Sequence, residues 1–195
     1  MLVRNAAVGQ STDNSDRLKP YTSCKFDGDL YIKEVTNRDN TGENYRTVNT
    51  AGGEKKVSVI DGYRVMFAYK KARYYFANVK VEQSKGKDYI NDKDTVIEGI
   101  TYLPFYENVP AKMVYRGKKD IKGHEIYGAD MDVIDKGGVI GIYAIFSDDD
   151  HVIITIYFLN QGRANRRFNN IEEFRVLRDD FLNRYTNCIH NAFNR

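Results

Sequence analysis

His151-Val152-Ile153-Ile154-Thr155-Ile156-Tyr157-Phe158-Leu159 reads as a strand with no side left for water. Successive side chains of a strand point to opposite faces of its sheet. Val152, Ile154, Ile156 and Phe158 therefore fill one face, and Ile153, Thr155, Tyr157 and Leu159 fill the other. The segment Val139 to Phe146 repeats the pattern, with Ile140, Ile142, Ala144 and Phe146 alternating with Val139, Gly141, Tyr143 and Ile145. Both faces must be covered. With a helical pattern before and after these strands, the expectation is an α+β fold, an antiparallel sheet sandwiched between helices.

The covering helices have their own signatures. Behind Asn91-Asp92, the residues Val96, Ile97, Ile100 and Leu103 recur with a helical period. At the other end Asn170 and Glu173 have capping-box spacing, and Ile171, Phe174, Leu177, Phe181, Tyr185 and Cys188 form an inward stripe. Glu172, Arg175, Arg178, Asp179 and Arg184 are expected on the remaining faces.

Further strands are expected at 29–35, 57–60, 63–70, 75–81, 111–116 and 123–133, with the last of these opening a meander through 138–147 and 151–159. Asp61-Gly62 has the composition of a two-residue type I′ turn and predicts a hairpin between 57–60 and 63–70. The Gly- and Asn-rich stretch 36–56 reads as a loop. Residues 1–23 read as a flexible leader and 24–195 as a single α+β domain.

Among the 195 residues, 30 Lys and Arg against 27 Asp and Glu leave a charge of only +3, so no strongly basic surface marks the chain as a nucleic-acid or membrane-surface binder. No run approaches the length of a transmembrane helix. The charge is unevenly distributed: residues 54–93 hold ten Lys and Arg against five Asp and Glu, whereas 129–151 hold six Asp and one Lys. Two cysteines, Cys24 and Cys188, allow one intramolecular bridge. It would close a loop of about 165 residues and remove roughly 5 kcal/mol of unfolded-state freedom in the chain-entropy model. A bridge belongs in an oxidising compartment, so the expectation is a periplasmic or secreted protein whose targeting segment has been removed; the composition also suits the cytoplasm.

The motifs that carry common chemistries are weak or missing. Gly52-Gly53 and Gly137-Gly138 precede strands and read as turns, whereas a phosphate loop follows a strand and opens a helix. His124, His151 and His190 share no ligand spacing with the cysteines, so no metal is expected. Asp148-Asp149-Asp150-His151 offers clustered oxygen ligands but lacks the glycine and distal glutamate of a calcium loop, and reads as a hairpin turn. No catalytic residue and no cofactor are assigned. The remaining feature is the connection 160–169, NQGRANRRFN, where Arg163, Arg166 and Arg167 stand with no acid among ten residues. Arginine pairs carboxylates in two-point geometry, which makes these three the candidate contacts for an acidic partner surface.

The stretches Tyr63-Arg64-Val65-Met66-Phe67, Gly123-His124-Glu125-Ile126-Tyr127-Gly128 and Asn169-Asn170-Ile171-Glu172-Glu173-Phe174, taken with the order of elements over 58–189, resemble the PsbP-like group, which includes PsbP proteins and bacterial DcrB-like lipoproteins. The resemblance implies a helix-sheet-helix domain that works outside the bacterial cytoplasm or in the thylakoid lumen by contacting other proteins. The expected function is a noncatalytic, extracytoplasmic protein-binding domain of accessory, inhibitor or immunity type, with no nucleic-acid partner. The alternative is a hydrolase with a dispersed active site.

Overall fold

The computed structural model describes residues 15–37, 44–69, 75–103, 113–134, 138–160, 168 and 170–193. In chain order the elements are α1 (Ser15–Thr22), β1 (Leu30–Asn37), β2 (Tyr45–Thr50), β3 (Gly53–Ser58), β4 (Asp61–Tyr69), β5 (Tyr75–Gln83), α2 (Tyr89–Tyr102), β6 (Met113–Ile121), β7 (His124–Met131), β8 (Gly138–Ser147), β9 (Val152–Asn160) and α3 (Ile171–Phe193). The fold is α+β. Seven strands form one antiparallel sheet in the order β1-β4-β5-β9-β8-β7-β6, and β2 and β3 form a separate two-stranded sheet.

The doubly apolar strand is central, as its pattern requires. Phe158, on one face of β9, packs edge-on against Phe174 and Phe181 of α3 and touches Phe76 of β5. Phe67 of β4 joins the same aromatic cluster through Phe181 and Tyr185. On the other face, Thr155 and Tyr157 lie with Ile142 near Val96 and Ile100 of α2 and Val48 of β2. Large buried aromatics contribute most per residue to such a core, and edge-to-face pairs add about 0.5–1.5 kcal/mol each beyond area burial.

Four sequence expectations need correction. The stretch 36–56 is not wholly a loop: the end of β1, all of β2 and most of β3 fall within it, and β2 turns into β3 with Thr50 paired to Gly53. Asp61-Gly62 makes no hairpin, because β3 pairs with β2 while β4 pairs with β1 and β5. The tight turn of the left-handed kind is instead Lys122-Gly123, where both residues have positive φ (56° and 79°) and Ile121 pairs with His124. The end of the expected leader, Ser15–Thr22, is helix α1; Leu18 and Tyr21 are fully buried, and the Tyr185 hydroxyl donates to the Tyr21 carbonyl at 2.6 Å. Three-residue spacing of two apolar residues is enough to bury one face of a two-turn helix.

The fourth correction concerns Arg178, which lies within the buried stripe of α3. Phe174, Arg178, Phe181 and Tyr185 follow a helical period, and Arg178 is only 6% exposed. Its guanidinium donates to the fully buried Asp130 of β7 and, at 3.1 Å, to the Tyr143 hydroxyl, which itself donates to Asp130. Arg116 of β6 completes the network from the other side, its Nε donating to Asp130 at 2.7 Å. A buried carboxylate is tolerated here because two guanidinium groups and a hydroxyl satisfy it. The α3 cap is as expected: the Glu173 amide donates to Asn170 Oδ1 at 2.9 Å.

Cys24 and Cys188 are bonded, with Cα atoms 5.8 Å apart and a sequence separation of 164. The bridge ties the segment after α1 to the last turns of α3. Thiol titration of the unfolded, unreduced protein is expected to find no free cysteine, and reduction to lower the melting temperature; two reactive thiols would contradict the bridge. Asp130→Ala strands Arg178 in the core and is expected to destabilise by about 3–5 kcal/mol in a urea titration.

Candidate functional site

Alternation in β4 and β5 decides what faces outward beside the covered half of the sheet. Val65 and Phe67 are buried in the main core, so Arg64 and Met66 turn to the opposite face; Val79 and Val81 are buried likewise, which turns Lys80 and Glu82 the same way. The register places Arg64 directly opposite Lys80. Like charges in that position repel, a cost with no return from packing. Neither side chain has an ion pair among the described residues. The Lys80 ammonium sits 5.1 Å from the centre of the Tyr157 ring, and Arg64 is exposed.

These two cations line a groove of about 660 Å³ over β1, β4 and β5. Glu34 and Tyr75 border it on one side and Arg46 and Glu82 on the other. Arg46 reaches down from β2, its Nε donating to Glu82 Oε2 at 2.6 Å and its Nη2 to Thr155 Oγ1 at 3.5 Å. That ion pair is largely buried, so Glu82 is already compensated and does not neutralise Lys80. Arg64 and Lys80 thus stand at paired positions in a groove whose acids are Glu34, at its border, and Glu82, already paired with Arg46. Two such cations suit a carboxylate.

The features singled out in the sequence have other occupations. Asp148 accepts from the Tyr89 hydroxyl at 2.7 Å and from the Lys93 ammonium at 2.9 Å, while Asp150 accepts from the Tyr21 hydroxyl at 2.7 Å. The acidic turn thus fastens α1 and α2 to the tip of the β8–β9 hairpin. Burial pushes the Asp148 carboxyl up, but the Tyr89 hydroxyl and the Lys93 charge outweigh it and hold it below the usual carboxylate range. Burial pushes the Tyr21 and Tyr89 hydroxyls upward. Among the described residues no three His, Cys, Asp or Glu side chains gather as metal ligands.

Both cysteines are consumed by the bridge. Ser58 donates to Asp92 at 2.5 Å and Ser84 donates to the same carboxylate, which secures the start of α2 to the ends of β3 and β5. Arg163, Arg166 and Arg167 lie outside the described residues. Sequence reasoning missed Arg64 and Lys80 as a pair because their adjacency is a property of strand register; the available signal was the excess of Lys and Arg across 54–93.

Sequence spacing did not connect His124 and His190, yet their rings meet edge-on at 6.3 Å between centroids. The His124 Nε2 is buried without a partner. Burial and the neighbouring His190 charge push His124 below its ordinary value. The unfolded chain therefore takes up this proton first, at about pH 6.5. Stability is expected to fall as the pH drops below that value, until the folded histidine is protonated too. Urea midpoints between pH 7.5 and 5 check this, and His124→Gln is expected to flatten that part of the profile.

No family model matches the chain, and no curated protein or solved structure matches it.

Proposed function

We propose that the chain is a noncatalytic binding domain that works outside the cytoplasm, as an accessory, inhibitor or immunity-type protein, by holding an acidic stretch of a partner protein. The observation that carries this reading is the Arg64–Lys80 pair: two cationic residues directly opposite on neighbouring strands, with no ion pair among the described residues, lining an open groove. Such a pair weakens the free protein slightly and gains from a carboxylate placed between its members. The Cys24–Cys188 bridge supports an oxidising compartment. Among the described residues no helix is long and apolar enough to cross a membrane.

The finer architecture in this reading is a single α/β/α sandwich of the PsbP-like kind. Packing of α3 on one face of β9 and of α2 near the other supports it. Arg163, Arg166 and Arg167 are taken as further contacts for the same acidic partner.

A blocked, glutamate-rich peptide is the direct probe. Wild-type protein is expected to bind it at low salt and to lose it as salt rises. Changing Arg64→Ser and Lys80→Ser together is expected to weaken binding at least tenfold, about 1.4 kcal/mol, while leaving the melting temperature unchanged or slightly higher. Equal binding by the double variant overturns the assignment of the groove, and tighter binding of a short oligothymidylate than of the peptide overturns the choice of a protein partner.

A further inference from the structure

Beyond Arg46 the covered half of the sheet is incompletely filled. Helix α2, strand β2 and the floor of β8 and β9 enclose a cleft of about 310 Å³, at the lower end of the range for small-ligand sites. Val48, Val96, Ile100 and Leu103 form its walls, and Ile142 and Tyr157 its floor. Ile142 is half-buried, although its neighbours Tyr143, Ala144 and Ile145 on the same strand are 2% exposed or less. An isoleucine left partly open on a central strand marks apolar surface still uncovered. The wall does not collapse onto it, because α2 already meets β2 at Gly99, where a Cβ would overlap Val48.

Arg46 separates this cleft from the cationic groove and belongs to both, bonding Glu82 on the groove side and Thr155 on the cleft side. Because Glu82 compensates Arg46, the cleft offers an apolar lining without an unpaired charge. The unpaired charges are Arg64 and Lys80. The two compartments therefore select different chemistry: an uncharged apolar group in one and a carboxylate in the other.

Their separation follows from the strand order β4-β5-β9-β8. The cation pair lies between β4 and β5, and the cleft floor lies between β9 and β8. That is two strand spacings across the sheet, roughly 10 Å, and two residues along β9 from Thr155, opposite Lys80, to Tyr157, so the backbone positions are roughly 12 Å apart; three extended residues, with the reach of the side chains at either end, span it.

Resting on the acidic-partner reading above, we infer that the groove and cleft together receive one extended peptide segment that crosses the strands, with a large apolar side chain in the cleft and an Asp or Glu three residues away over Arg64 and Lys80. The apolar residue anchors the segment and the carboxylate sets its register, the division of labour expected of a buried hot spot beside a charged rim.

The test uses blocked Gly/Ser peptides carrying one phenylalanine and one glutamate, with titration by fluorescence anisotropy at low salt. The peptide with three-residue spacing, in one of its two orders, is expected to bind at least tenfold more tightly than a peptide with one-residue spacing and than one with phenylalanine replaced by alanine. Ile142→Trp, which fills the cleft from its floor, is expected to abolish that preference while leaving the glutamate-rich peptide bound as before. The comparisons among peptides need only the wild-type protein, so they decide the matter even where Ile142→Trp fails to fold. If the alanine or respaced peptides bind as well as the phenylalanine peptide, the cleft has no part in recognition and this inference is overturned, while the acidic-partner reading survives on the glutamate-rich peptide. If that peptide also fails to bind, both are overturned. Capture of a phenylalanine peptide with no glutamate, as tightly as the full one, makes the cleft an apolar site independent of the groove and overturns the pairing.

Discussion

Everything in this structure answers to the absence of a polar face on β9. A strand apolar on both sides has to be covered twice, and the chain has unequal means for the two tasks. On one side the twenty-three-residue α3 carries an almost unbroken row of aromatics to Phe67, Phe76 and Phe158. On the other side the cover is shorter: α2 has fourteen residues, roughly 21 Å of helix, supplemented by the β2–β3 hairpin. A seven-stranded sheet is roughly 29 Å across between its edge strands. Helix α2 packs chiefly on β2, β3, β7 and β8 rather than on β4 and β5. What remains open on that side is the outward face of β4 and β5, and the sequence there has already changed from apolar to charged.

Two ways of handling charge stand side by side. Asp130 is buried completely, and its neighbours Arg116, Arg178 and Tyr143 are arranged to meet it, so the network serves to seat α3 in one orientation on β7 and β8. Arg64 and Lys80 show the reverse arrangement, equal charges at paired positions of β4 and β5 with no ion pair among the described residues, while Glu82 beside them is committed to Arg46. A chain able to satisfy a fully buried aspartate has no general difficulty in pairing charges. Leaving a pair uncompensated on a rigid surface is the kind of local conflict that functional sites retain at the expense of stability.

Much of this was readable in the sequence, for reasons that can be named. The meander was visible because β8 and β9 are runs of apolar residues set off by the turn residues Gly137-Gly138 and Asp148-Asp149-Asp150, and α3 because an Asn–Glu cap precedes a long amphipathic stripe. The β2–β3 hairpin was not, since YRTVNT and GEKKVS are largely polar and are held by cover from α2 and by one buried valine, Val57. Asp61-Gly62 misled because turn composition says nothing about which strands pair, and β4 takes its neighbours from distant segments. Arg178 was read as a surface residue because a charged side chain in a helical stripe is normally solvated; only Asp130, 48 residues away, changes that. The candidate site was the least readable part. Each of its residues was visible as an ordinary strand residue, and only register put the two cations face to face.

The bridge between Cys24 and Cys188 turns the chain between them into a covalent ring that contains every strand and most of α3. A single peptide bond cut within that ring opens it without releasing a fragment. A protease that nicks one connecting segment therefore leaves two polypeptides joined through the bridge, held at high local concentration and in position to keep the sheet paired. A protein tied in this way can carry one break and still present its groove.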